Sequence, residues 1–305
     1  MKFWVVFTGL FFTGLYLLLA RPAAMPAIAT PPPITQKRPD VLRKILRAPI
    51  VYLGETHDHP PDHDAQLDII QRIHARQPNL AIALEMFQKP FQASLDQYLK
   101  GTLTEAELLA QTEYKKRWGF SWDFYAPILR FAKANQIPVL AINTPSEVTR
   151  KVARTGLESL APEDLKWIPP LAEIETTNEQ YRQRLLEIYQ SSHQGHGNSA
   201  GFDRFFQAQV LWDETMADAI AQYWRKHPDR KVVVLVGQGH LLYGDGIPSR
   251  VKRRLHQLPN WQQHSVLINP SAEHQIPPTS KSSSNPSSSP NRAIADSFWF
   301  SSSQP

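Results

Sequence analysis

Five short apolar runs constrain this chain more than any other feature: "PIVYLG" (49–54), "LAIALEMF" (80–87), "IPVLAIN" (137–143), "KVVVLVG" (231–237) and "HSVLIN" (264–269). Each is rich in Val, Ile and Leu, and each is continuous rather than alternating. A strand with one wet face alternates apolar and polar residues, and a strand covered on both faces does not. The runs therefore read as strands of a parallel sheet with helices on both sides. The segments between them supply the helices. "DAQLDIIQRIHARQ" lines up Leu67, Ile70, Ile73 and His74, and "FYAPILRFAKAN" lines up Tyr125, Ile128, Leu129 and Ala132. The longest pattern, 202–227, carries Phe205, Trp212, Met216, Ile220 and Tyr223 along one stripe. Alternation of this kind predicts the α/β class: a layered α/β/α domain with a mostly parallel sheet and right-handed crossovers. The stretches 88–123 and 145–201 are longer helical excursions, expected to cap the sheet.

This domain is expected to run from 40 to 270, without internal repeats. Before it, "MKFWVVFTGLFFTGLYLLLA" carries Lys2 and then 18 uncharged residues, Phe3 to Ala20. Small residues follow, with Ala27-Ile28-Ala29 as a candidate cleavage site. Residues 1–29 thus read as a secretory signal peptide or an uncleaved N-terminal membrane anchor, which predicts an exported protein, periplasmic or held at the membrane. A Pro-rich linker occupies 30–39. Residues 271–305 form a Ser/Pro-rich tail with too little apolar surface to order itself, and its "SFWF" has no explanation on that reading.

Several function classes are excluded by composition. The chain has no cysteine, so it has no disulfide, thiolate metal site, iron–sulfur cluster, cysteine nucleophile or lipidated cysteine. Its formal net charge is +5. Basic clusters such as Arg43-Lys44-Arg47, Lys115-Lys116-Arg117 and Lys252-Arg253-Arg254 lack any nucleic-acid motif or interleaved aromatic stripe. They read as solvated helix faces, and nucleic acid is not expected as a partner.

Open parallel sheets bind ligands beyond the carboxyl ends of their strands. The first run delivers Gly54-Glu55-Thr56-His57 there, the second Glu85, the third Asn143, the fourth Gly237-Gln238-Gly239-His240 and the fifth Asn269. Two of these ends share the spacing Gly-x-x-His, in which glycine lets the chain leave the strand tightly. Two imidazoles with a carboxylate make a donor set for zinc, iron or manganese, so His57, His240 and Glu85 are candidate metal ligands. The same groups could work as general base and orienting acid around a water, or only as a hydrogen-bonded network. Glu85, ending an apolar strand, would be costly to bury without a partner.

Lesser candidates surround this set. His59 and His63 flank Pro60-Pro61 and read mainly as a solvated loop, with Asp62 as N-cap of the next helix. The aromatic stretch "RWGFSWDFY" (117–125) could wall a flat apolar ligand or pack as core beneath a loop. Gln209 and Asp213 lie four apart on the long helix, where they could support the site. His193 and His196 sit in a Gly/Ser loop and are not expected to matter.

The segments "LGETHDH", "ALEMF", "WDFYAPILRFAKANQIPVLAINTP", "WDETMA" and "VGQGHLLYGDGIPSR" occur in that order over nearly all of residues 45–255. In this they resemble the ChaN-type haem-binding uptake proteins, which belong with the Tiki proteases and the erythromycin-esterase-like proteins. The resemblance implies two different functions. The first is an envelope-associated protein of haem or iron uptake that binds haem and forms a homodimer. There a tyrosine ligates iron, with Tyr243, Tyr125 and Tyr181 as candidates, and histidine and lysine hold the propionates. His57, His240, Tyr243, Asn143 and Arg250 are then the expected cofactor-binding residues. The Tiki branch implies instead a hydrolase or peptidase dependent on a divalent metal such as Mn, Co or Zn. In it His57 and His240 match the paired histidines, Glu85 the isolated glutamate and Arg250 the arginine, with Glu55 activating water. The haem-binding type is a lipoprotein, a feature that a chain without cysteine cannot share.

Overall fold

Dense branched side chains make each of the five runs a strand, and the covered sheet buries nearly every one of their residues. A computed structural model describes residues 36–192, 199–271, 274 and 292–301. The strands are β1 (Ile50–Glu55), β2 (Leu80–Gln88), β3 (Val139–Asn143), β4 (Lys231–Gly237) and β5 (Gln263–Ile268). A short sixth strand follows, β6 (Ser297–Trp299). The sheet order is β3-β2-β4-β1-β5-β6, and every neighbouring pair is parallel.

The helices are α1 (Arg38–Arg47), α2 (Pro60–His74), α3 (Gln92–Leu99), α4 (Glu105–Gln111), α5 (Tyr114–Arg117) and α6 (Trp122–Ala134). After β3 come α7 (Ser146–Thr155), α8 (Pro162–Leu165), α9 (Glu179–Ser192), α10 (Ser199–Lys226) and, after β4, α11 (Ile247–Leu255). Local chemistry sets several of their starts. Thr104 and Glu107 form a capping box on α4, and the Ser121 hydroxyl accepts the Asp123 N–H at the head of α6. The Pro60-Pro61 step opens α2, since proline suits a first turn whose N–H groups have no helical partner.

Alternate side chains of each strand feed two cores. Val51 and Leu53 of β1, with Ile82 and Leu84 of β2, pack against Ile45 of α1, Ile69 and Ile73 of α2 and Ile128 of α6. On the opposite face Ile50, Tyr52, Val232, Val234 and Val236 meet Met216, Ile220 and Trp224 of α10 and Val251 and Leu255 of α11. β1 leaves through α2 on the first face, and β4 leaves through α11 on the second. Because β1 and β4 are neighbours, their connections leave to opposite faces at the carboxyl ends, the edge at which such a sheet binds ligands.

The structure corrects two expectations. The first three residues of "SFWF" do not lie in an unordered tail: β6 is buried and pairs with β5 through Ser297, Phe298 and Trp299. Phe298 enters the second core and Trp299 the first, so one alternating pair closes that edge of the sheet from both sides. Composition averaged over the Ser/Pro surroundings hides so short a signal. Asp62, moreover, is not the N-cap of α2, which begins at Pro60. Among the described residues no helix is long and apolar enough to cross a membrane. The expected signal or anchor at 1–29 lies outside the described residues, as do His193 and His196.

Candidate functional site

The two Gly-x-x-His segments meet side by side, because Glu55 of β1 is in register with Gly237 of β4. Each glycine makes room for the other segment. A Cβ on Gly54 would stand 2.8 Å from a Leu241 methyl, and one on Gly237 would stand 2.9 Å from Cε1 and Nε2 of His57. Neither glycine has a left-handed φ. Close approach of side chains, more than a tight exit from the strand, accounts for both.

Glu55 is the centre of one half. It is buried, and its Oε1 accepts from the Tyr125 hydroxyl at 2.6 Å and lies 2.9 Å from Nδ1 of His57. Its Oε2 accepts from Gln66 Nε2 at 2.7 Å and lies 3.5 Å from Nδ1 of His63. A buried carboxylate survives only with such partners. His57 is the most accessible member of this half, half-buried with 27% of its side chain accessible. Its ring lies 4.8 Å from that of Trp118 and 4.9 Å from that of Phe120. Burial pulls its pKa down, but the bond to Glu55 and the charge of Glu85 outweigh this and leave it raised. Among the described residues no partner bonds its Nε2.

Glu85 and His240 form the other half. Glu85 Oε2 accepts the Gly237 N–H at 2.8 Å, and Oε1 faces Nε2 of His240 at 3.3 Å. Nδ1 of His240 meets Asp213 Oδ1 at 2.7 Å. Burial opposes both charges, yet the His240 charge holds Glu85 down at about 2, and Glu85 and Asp213 lift His240 to about 10. His240 is thus a buried imidazolium between two carboxylates. Each of its ring nitrogens faces a carboxylate, Nδ1 that of Asp213 and Nε2 that of Glu85.

The other expected residues are placed as follows. Asn143 backs the site: its Nδ2 donates to the Glu85 carbonyl at 2.7 Å, and its Oδ1 accepts from Trp212 Nε1. Arg250 is buried, donates to the carbonyls of Asp245 and Gly246, and pairs with Glu214 at 3.3 Å. It is a clamp on the start of α11, and it lies 3.9 Å from Asp213. Tyr243 stands in the left-handed region with φ 57°, its ring under the Arg184 guanidinium. The hydroxyl of Tyr125 is spent on Glu55, and that of Tyr181 on Asp213 at 2.5 Å. Two of the three candidate tyrosines, Tyr125 and Tyr181, thus have their hydroxyls engaged by buried carboxylates. Among the described residues no group of three or more His, Cys, Asp or Glu is arranged to hold a metal ion. The expected set of His57, His240 and Glu85 is not such a group: Glu85 pairs with His240, while His57 bonds Glu55 instead.

His63 departs furthest from expectation. It is buried rather than solvated, donates from Nε2 to the His57 carbonyl at 3.1 Å, and stacks on Phe124 at 4.9 Å. His59 does remain largely accessible, bonded to Asp62 at 2.7 Å. The sequence signal for His63 and Gln66 was spacing: positions 63, 66, 70 and 73 follow one helical face, so both polar groups point inward with the apolar stripe. Gln209 makes no bond to the cluster, whereas Asp213 does. The aromatic stretch serves both expected ends, since Trp118 and Phe120 edge His57 while Trp122 packs on Phe87 and Tyr114.

Comparison with known proteins adds an independent line. The family model described as haem-binding uptake, Tiki superfamily, ChaN matches residues 41–251. ChaN of Campylobacter jejuni, solved with cofacially bound haem, superposes with a TM-score of 0.62 at 20% identity, covering 77% of this chain and 87% of that one. An erythromycin esterase, EreC, gives a TM-score of 0.44 at 16% identity, over 75% of this chain and 72% of that one. A curated relative, the Arabidopsis thaliana protein RETICULATA-RELATED 5, described as chloroplastic, is 26% identical over 298 residues. That match takes in 91% of this chain, which spans 37% of the relative's length.

Proposed function

The chain belongs to the ChaN haem-binding uptake family of the Tiki superfamily, and from that premise we propose that it binds haem at the carboxyl ends of β1 and β4 with His57 as the iron ligand. The observation that carries this is the state of the two histidines. Among the described residues both nitrogens of His240 have partners, while His57 is bonded only through Nδ1, at an aromatic-edged, accessible mouth. A carboxylate on Nδ1 orients an imidazole and makes its other nitrogen a better donor. Trp118 and Phe120 offer apolar surface to a flat macrocycle, and iron so held could serve storage, transfer or redox chemistry. The residues present therefore fit the group.

The same reading takes the protein as exported and engaged in haem or iron handling, on the strength of the uncharged run from Phe3 to Ala20. Cell fractionation with an antibody to the domain checks that part separately. The binding reading is tested by titrating the purified chain with haemin and following the Soret band. Saturable binding that weakens in His57→Ala and not in Tyr243→Phe supports it. Absence of a saturable Soret shift in the wild-type chain would end it.

A further inference from the structure

A line of hydrogen bonds runs from the last described residues of the chain to the loop that carries His57. Ser301 donates through Oγ to the Pro61 carbonyl at 2.9 Å and through its N–H to Asn269 Oδ1 at 2.8 Å. Asn269 Nδ2 donates to Ser301 Oγ at 2.8 Å and to Asp62 Oδ1 at 2.7 Å. Asp62 is fully buried, accepts the Thr56 N–H at 2.7 Å through Oδ2, and bonds the His59 ring through Oδ1. Thr56 and His59 bracket His57. Behind the line, β6 holds Ser301 in place against β5, and Arg38 of α1 binds the carbonyls of Phe300 and Ser301.

Two features make this more than edge sealing. Asn269 takes a left-handed φ of 43° at the end of β5, a strained turn that aims its amide at both Asp62 and Ser301. The line also starts from a segment lying outside the residues 41–251 that the family model matches. We propose that Asn269 and Ser301 are positioning residues of the haem mouth: the C-terminal segment braces Asp62, and Asp62 sets the backbone from which His57 projects. The proposal rests on the haem reading for what the mouth binds, but the brace itself is readable without haem.

The test uses the full chain with Asn269→Ser and Ser301→Ala, and Asn79→Ala at the opposite end of the sheet as control. Thermal melts verify folding, amide exchange is read at Thr56, and haemin is titrated by absorbance. The expected result is Thr56 exchange on the order of tenfold faster in both brace variants, and haemin affinity lowered by a similar factor, with the control unchanged. Unchanged exchange at Thr56 in both variants overturns the brace. Faster exchange with wild-type haemin affinity overturns its positioning role. If the wild-type chain takes up no haemin, the haem reading falls by itself, and Thr56 exchange alone decides whether the brace stands.

Discussion

Glu85 and His240 face each other across the ends of β2 and β4, with Oε1 and Nε2 3.3 Å apart, and each sets the charge of the other. Asp213 on α10 completes the arrangement from the far side of the imidazole. The Gly-x-x-His segments that look alike in sequence therefore do different work. One histidine is buried between two carboxylates, and the other is a half-buried imidazole steadied from behind by Glu55.

Stability should follow the pair. The folded pKa of Glu85 is about 2 against an ordinary 4.5, so its contribution is present above 4.5 and fades as pH falls from there toward 2. His240 is lifted to about 10 from 6.5, so its contribution is full below 6.5 and fades as pH rises toward 10. Melting temperatures across pH should form a plateau between 4.5 and 6.5 with losses on both sides. In His240→Ala, Glu85 is left buried without its cation, a loss of about 3–5 kcal/mol in denaturant unfolding. A variant as stable as wild type would show that the pair is not formed.

Glu55→Gln should spare the fold more than the mouth. The amide can still accept from Tyr125, but it no longer holds His57 Nδ1 as a charged acceptor. Losing such a partner behind a ligand typically costs ten- to a hundredfold in affinity, so haemin binding should weaken by about that range. Wild-type haemin affinity in this variant would remove Glu55 from the site.

Gly237→Ala places a methyl 2.9 Å from the His57 ring. The ring must swing away from β4, and overpacking of this kind costs about 1–3 kcal/mol. The expected outcome is a folded protein with a small drop in melting temperature and a changed Soret maximum with haemin. An unaltered spectrum would mean that His57 tolerates displacement and is not the ligand.

Tyrosine variants separate the two iron-ligand readings. Tyr243→Phe should leave the haem spectrum and melting temperature unchanged, because that ring packs under Arg184. Tyr125→Phe removes one donor from buried Glu55 and should cost about 1–3 kcal/mol of stability without abolishing the haem spectrum. Loss of a tyrosinate charge-transfer band in either variant would transfer the ligand role from His57 to that tyrosine.

How far these groups could be read in advance depended on the range of the forces that place them. The strands were legible because burial on both faces demands unbroken apolar runs, a local constraint that leaves a local record. Runs 231–237 and 80–87 match β4 and β2 to within a residue. Gly-x-x-His at two strand ends was legible for the same reason, since parallel strands deliver their ends to one edge. "SFWF" stood out but could not be read as a strand, because its pairing partner, β5, lies some thirty residues away and three residues carry too little pattern of their own.

The amino-acid sequence by itself determined the class of fold, the edge at which chemistry would gather, and the absence of any thiolate chemistry. It could not say which histidine would be available. That was decided by Asp213 arriving from α10, by Tyr125 arriving from α6, and by Asn269 and Ser301 closing on Asp62 from the far end of the chain. Hydrophobic patterning is periodic along the chain and readable from neighbours. A buried imidazole is governed instead by whichever carboxylate comes within about 3 Å of it, and only the tertiary structure sets that distance.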